Sequence, residues 1–215
     1  MRFSYCLGSP LDPRSHHYLH FGPDAKISGD FKTTSLVPTI GNQRLAHYHV
    51  VCKGISLDGN NLPIDPKLFE VKSDLTGGFI LDTGTYVTFL VESAYQVLKK
   101  GVIAYFKQKG LDPSPENKMG LDLCFLIPES TSNIVKPTIT YHFDGGADFV
   151  VGPESGFLSA GLVGKNNMFC LVVLGRNDND LNTLGVLNQV DHTFLFDVGK
   201  NQVSFTPQAK TCSNA

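Results

Sequence analysis

The 215-residue chain is 41% apolar, with 18 basic and 20 acidic residues and a formal net charge of −2. That composition supports a real core in one domain or two small ones, and shows no electrostatic footprint for nucleic acid or an acidic membrane surface. No apolar run approaches the ~20 residues of a membrane-spanning helix, and the start, Met1 to Cys6, lacks the apolar stretch of a signal peptide.

Residues 1–50 read as extended segments broken by turns. Leu7 to Arg14 is a loop, since Pro10 and Pro13 deny helix, and His20-Phe21-Gly22-Pro23 ends a short strand. His47 to Leu57 alternates for most of its length as one extended run. Asp58-Gly59-Asn60-Asn61 then gives a hairpin signal, with Leu62-Pro63-Ile64 resuming beyond it. From Gly77 to Leu90 an apolar run drives into Asp82, which sits on a glycine turn flanked by hydroxyls. Apolar residues then return in alternation with Thr88. This pattern predicts a buried strand, a tight turn and a second strand, with the carboxylate at the edge of the core.

The main helix is predicted from Glu92 to about Lys109. Ala94, Tyr95, Leu98, Val102, Tyr105 and Phe106 form its apolar stripe and Gly110 stands at the cap. Leu111 to Asn117 carries Pro113 and Pro115 and is loop. Short strands follow at Leu123–Ile127, Thr138–Phe143, Asp148–Val151, Phe169–Leu174, Thr193–Phe196 and Gln202–Phe205, with turns such as Asp144-Gly145-Gly146 between them. The expectation is a mainly-β fold with one main α-helix, as a single domain over residues 1–215 without linker or repeat.

Several chemistries fail on spacing. His47 and His49 would share a strand face and His16, His17 and His20 cluster, but no H-E-x-x-H helix or Cys/His set completes a metal site. No G-x-S-x-G turn positions a nucleophilic serine. Asn177-Asp178-Asn179-Asp180 lacks the downstream glutamate of a calcium loop and reads as a solvated turn. Cys6, Cys52, Cys124, Cys170 and Cys212 contain no C-x-x-C pair. Their spacing allows two remote disulfides with one thiol left over, or five buried free thiols. Asp82 remains as the candidate carboxylate.

The residues around Asp82 extend the pattern along the chain. Phe3 to Leu7, Gly54 to Leu57 with Leu62-Pro63-Ile64, Gly77 to Thr85, Pro137 to Phe143, Phe169-Cys170-Leu171, Leu184-Gly185, Phe194 to Asp197 and Val203 to Phe205 occur in order. Together they resemble the carboxyl-terminal half of a plant pepsin-like aspartic protease of the nepenthesin-like branch.

The resemblance implies a single lobe of the bilobal pepsin-like acid protease fold, with no metal and no cofactor. It implies that Asp82 is one of two catalytic aspartates that activate a water against a polypeptide substrate. Thr85 would orient Asp82, Gly84 would admit the partner loop, Thr83 would tie the two loops together, and Gly84 and Thr85 would face substrate. Leu184-Gly185, after Thr183, matches the segment that buttresses the aspartate loop. The resemblance pairs Cys6 with Cys212 and Cys124 with Cys170, leaves Cys52 free, and implies an extracellular or vacuolar setting.

Tyr86 and Val186 depart from the family pattern, which has a small hydroxyl residue and an asparagine there. The chain carries one Asp-Thr-Gly, so activity is expected to require a partner. That partner is a first lobe or, as in retroviral-type proteases, a second copy. The alternative expectation is a non-catalytic binding protein on the same fold, similar to plant xylanase inhibitors.

Overall fold

A computed structural model describes residues 1–9, 12–129, 131, 134–207 and 212. Among them the strands form three sheets. The largest has ten strands in the order Val173–Arg176, Thr88–Val91, Asn182–Leu184, Phe79–Leu81, Gln43–Val50, Lys32–Ile40, Gln202–Phe205, Thr193–Asp197, Arg2–Leu7 and His17–Phe21. A four-stranded sheet runs Ala147–Val151, Ile139–Phe143, Cys52–Leu57 and Asn60–Asn61, and a three-stranded one Phe157–Val163, Asn166–Leu171 and Cys124–Ile127.

The one long helix, Glu92–Lys107, buries Ala94, Tyr95, Leu98, Val102 and Phe106, while Tyr105 is half-buried. Its end is a paired cap. Leu111 N–H donates to Phe106 O and Gly110 N–H to Lys107 O, both at 3.0 Å, with Gly110 at φ 78°. That left-handed position favours glycine, and Leu111 and Phe106 belong to one buried cluster. At the other end Asp178 accepts from the Ser93 N–H at 2.8 Å and the Ser93 hydroxyl at 2.7 Å. The turn at 177–180 therefore caps a helix, where a carboxylate meets unpaired N–H groups and a favourable dipole.

The aromatic core holds these layers together. The Phe106 ring lies 4.5 Å from Phe125 and 5.1 Å from Phe169, and Phe79 meets Tyr141 at 5.7 Å and Phe143 at 5.6 Å. The disulfides Cys6–Cys212 and Cys124–Cys170 are formed and Cys52 is free. Sequence separations of 206 and 46 residues mean that each removes substantial loop entropy from the unfolded chain, about 5 and about 4 kcal/mol in the entropic account.

Three segments differ from expectation. The run from His47 to Leu57 divides at Val51, because Val50 pairs with Phe79 in the large sheet whereas Cys52 pairs with Phe143 in another. The Phe169–Leu174 strand likewise splits at Val172, whose N–H donates to Gly156 O and whose carbonyl accepts from Thr88 N–H. Leu62-Pro63-Ile64 stops after a two-residue strand, since Pro63 has no N–H to continue the ladder. The hairpin itself forms, with Asp58 and Gly59 both at positive φ as a type I′ turn requires. In the Leu7 to Arg14 loop, Pro10 and Leu11 lie outside the described residues.

His192 links this core to pH. It is 1% exposed, lies 4.4 Å from the Phe149 ring, and its Nδ1–H donates to Thr206 O at 2.8 Å. Nε2 is buried without a partner, and burial lowers the pKa to about 4. The unfolded side chain titrates near ~6.5. Between those values the unfolded chain gains a proton that the folded chain excludes. Stability should therefore fall as pH drops from about 6.5 to about 4, by about 3 kcal/mol in total, with no contribution above that window. Urea unfolding across pH should show this slope, and His192→Gln should flatten it.

Candidate active site

The strand Phe79–Leu81 is fully buried and ends at Asp82. It pairs in parallel with Asn182–Leu184, Phe79 opposite Asn182 and Leu81 opposite Leu184. Asn182 locks the start of both strands, its side-chain N–H donating to Leu68 O and Gly78 O and its Oδ1 accepting from Val91 N–H. At the other end Asp82 N–H donates to Leu184 O at 3.2 Å. The two strands thus deliver Asp82 and Gly185 side by side.

Asp82 Oδ1 accepts from Gly84 N–H at 2.8 Å, and Oδ2 accepts from the Thr85 hydroxyl at 2.6 Å. Each oxygen is held by one donor of its own loop, which fixes the plane of the carboxylate and stabilises its charge. Asp82 and Thr85 are half-buried, whereas Thr83, Gly84 and Tyr86 are exposed, Tyr86 at 51%. The loop therefore presents its glycine corner outward.

Behind the loop Thr88 joins its two sides. Gly185 N–H donates to Thr88 Oγ1 at 3.0 Å, Thr88 donates to Asn188 Oδ1 at 2.6 Å, and Asn188 donates to Ser155 O at 2.6 Å. The backbone adds Val186 N–H to Thr85 O at 2.7 Å and Leu187 N–H to Tyr86 O at 3.1 Å. Val186 thus holds the loop through its main chain, which its departure from asparagine leaves intact. Gln189 donates to Leu184 O at 2.7 Å and Asp82 O at 3.3 Å, while its Oε1 accepts from Tyr5 at 2.6 Å. Burial, with the Asp82 charge second, pushes the Tyr5 phenol well above its ordinary pKa, so Tyr5 stays a donor and sets the Gln189 amide.

Thr83, Gly84, Thr85 and Tyr86 thus surround Asp82, and Leu184-Gly185 lies directly behind. Sequence reasoning missed Tyr5, Asn182, Asn188 and Gln189, although polar residues inside apolar runs such as Val186-Leu187-Asn188-Gln189-Val190 are a usable signal for buried hydrogen-bond partners. The histidine pair lies on the strand beside Phe79–Leu81, with His49 opposite Ile80. His47 and His49 rings lie 6.1 Å apart, with His49 Nδ1–H donating to His47 O. Among the described residues no three His, Cys, Asp or Glu side chains gather to hold a metal ion. Burial pushes the Cys52 thiol up to about 12, leaving it inert.

One further chain has the order of a nucleophilic relay. Asp148 Oδ1 lies 2.7 Å from His142 Nδ1, and His142 Nε2 lies 3.0 Å from Ser56 Oγ. Ser56 is 3% exposed, so substrate has no route to its hydroxyl. The three residues staple adjacent strands of the four-stranded sheet.

Gly185 is the tightest point behind Asp82. A Cβ there would lie 2.2 Å from Val87 O and 2.8 Å from Thr88 N, whereas one at Gly54 would meet nothing within 4 Å. Gly185→Ala should destabilise the fold by about 3 kcal/mol or more, and Gly54→Ala should change it by about 1 kcal/mol at most. Chemical denaturation of both variants checks the contrast.

The comparisons with known proteins agree with this architecture. Residues 47–207 match the family described as xylanase inhibitor C-terminal. The chain is 32% identical over 206 residues to aspartic proteinase nepenthesin-1 of Nepenthes gracilis, covering 95% of this chain and 44% of that protein. Aspartyl protease family protein 2 of Arabidopsis thaliana is 30% identical, with 96% and 40% covered. The chain thus spans less than half the length of these curated relatives. Among solved structures, that titled edgp superposes with a TM-score of 0.75 at 16% identity, covering 96% of this chain and 54% of that one. Soybean basic 7S globulin gives 0.74 at 19%, covering 98% and 53%. At those identities the likeness speaks to fold alone. The chain belongs to the xylanase inhibitor C-terminal family, as one mainly-β lobe of the pepsin-like fold similar to the carboxyl-terminal part of plant nepenthesin-like aspartic proteases.

Proposed function

We propose that the chain is the Asp82-bearing lobe of an aspartic endopeptidase, hydrolysing peptide bonds when a second lobe supplies another carboxylate. The observation that carries this reading is Asp82 held by Gly84 N–H and the Thr85 hydroxyl on a loop whose corner faces outward. A carboxylate so held is oriented, yet one carboxylate supplies only one of the two proton functions that water attack on an amide requires. With two carboxylates facing each other, close charges cannot both ionise, so the pair shares a proton. The ionised member takes a proton from the water as it attacks, and the protonated member polarises the carbonyl and then protonates the leaving nitrogen. Thr83 and Gly84 stand where a partner loop would approach. The partner is a first lobe or, as a second arrangement, another copy of the chain.

The two disulfides favour an oxidising compartment, and with the plant relatives support an extracellular or vacuolar setting. The family description motivates a second reading, a non-catalytic binding protein that engages a glycosidase. Retention of Asp82 with both of its donors favours the first.

Reunited with a related first lobe, the chain should cleave peptides in acid. Asp82→Ala should lower kcat by at least ~10³-fold. Thr85→Val, which deletes one charge-assisted hydrogen bond, should lower it by about 10- to 100-fold. Undiminished cleavage in Asp82→Ala would overturn the assignment, and tight binding to a xylanase without any cleavage would favour the second reading.

A further inference from the structure

A groove of about 550 Å³ borders the start of the two strands whose far ends deliver Asp82 and Gly185, and the chemistry above leaves it unused. One wall is the strand Gln43–Val50, whose His49 pairs with Ile80, two residues before Asp82. The opposite wall includes Arg176 and the segment leading into Asn182. At ~3.3 Å per extended residue, the His49–Ile80 level lies roughly 7 Å from Asp82. Arg176, bonded to Leu181 O one residue before the Asn182–Phe79 level, stands about four extended residues, roughly 13 Å, from Asp82, so a peptide crossing the Asp82 loop would place a side chain about four positions from the scissile bond over it.

The lining is basic in a chain of net negative charge. Arg44, His47, His49 and Arg176 face a single carboxylate, Asp180. His49 is 2% exposed and burial lowers its pKa, so the fixed cations of the lining are the two arginines.

Arg176 is the fixed one. Its guanidinium carbon lies 4.0 Å from the centre of the Phe89 ring, which sets the plane of the fork, and Nη1 donates to Leu181 O at 3.4 Å. Arginine carries five N–H donors, so most of the fork is unassigned. Among the described residues no carboxylate stands within 4 Å of Arg176 or Arg44, and Asp180 attracts Arg176 only from longer range. A half-buried, planar and oriented guanidinium without a close counter-ion is matched to a bidentate carboxylate.

We propose that this groove is a carboxylate-recognising subsite that selects an acidic side chain in the peptide lying across the Asp82 loop, with Arg176 as anchor and Arg44 and His47 at its rim. The inference rests on the peptidase reading for the nature of its ligand and adds the substrate class. Inorganic phosphate offers related oxyanion chemistry and forms the second arm of the test.

The chain alone is titrated at pH 6 and low salt, followed by backbone amide chemical shifts. The probes are an extended octapeptide containing one glutamate, its glutamine twin, and inorganic phosphate. The glutamate peptide should bind at least tenfold more tightly and shift amides around residues 44–49 and 176–181. The preference should vanish in Arg176→Gln, shrink in Arg44→Gln, and be mostly lost in Arg176→Lys, which keeps the charge and removes the fork. Circular dichroism confirms that each variant is folded.

Equal binding of the two peptides overturns the proposal, as does Arg176-dependent binding of phosphate without any glutamate preference. Asp82→Asn should retain the preference. If it does while the reunited lobes cleave nothing, the peptidase reading falls and the subsite stands.

Discussion

The Thr88 hydroxyl accepts from Gly185 and donates to Asn188, so one oxygen joins the strand leaving the Asp82 turn to the strand arriving behind it. The link needs close approach, and only glycine permits it at 185, where Val87 O occupies the space a methyl would take. Without it Gly185 N–H and Asn188 Oδ1 would be buried and unpaired, each at about 1–3 kcal/mol. The parallel pairing of Phe79–Leu81 with Asn182–Leu184, the position of Asp82 and the outward corner at Gly84 all follow from that contact.

Two kinds of support act on the carboxylate. Gly84 and Thr85 touch its oxygens and define its orientation. Gln189, itself set by Tyr5, touches only backbone carbonyls and fixes where the loop sits. The separation leaves Thr83, Gly84 and Tyr86 exposed at the outer face of the loop. It also explains why the buried polar residues collect on the inner side: each satisfies main-chain groups that a tight turn leaves without partners.

Much of this was legible in local pattern. The strand-turn-strand around Asp82, the helix stripe with its glycine cap and the Asp58-Gly59 hairpin rest on periodicity and turn chemistry, which neighbouring residues decide among themselves. The breaks at Val51 and Val172 were not, because each is set by where the flanking strand finds its partner. The four-residue turn at 177–180 is exposed, as its composition indicates, but that it also caps a helix starting at Glu92 was not legible, since the contact spans roughly 85 positions. The site divides the same way. Asp82, Thr85 and Gly185 stand in recognisable motifs, while Tyr5, Asn182, Asn188 and Gln189 act through folding partners that no short window contains.

The pairing of Phe79 with Asn182 has a consequence for how the molecule is made. It is parallel and joins residues roughly a hundred positions apart, with the long helix, the three-stranded sheet and two strands of the four-stranded sheet between them. Such long closures form late, after the local hairpins and the helix. A growing chain therefore exposes Asp82 on an incomplete turn until its last third has emerged. Recognition of the finished loop, by whatever reads it, can only follow closure of the fold.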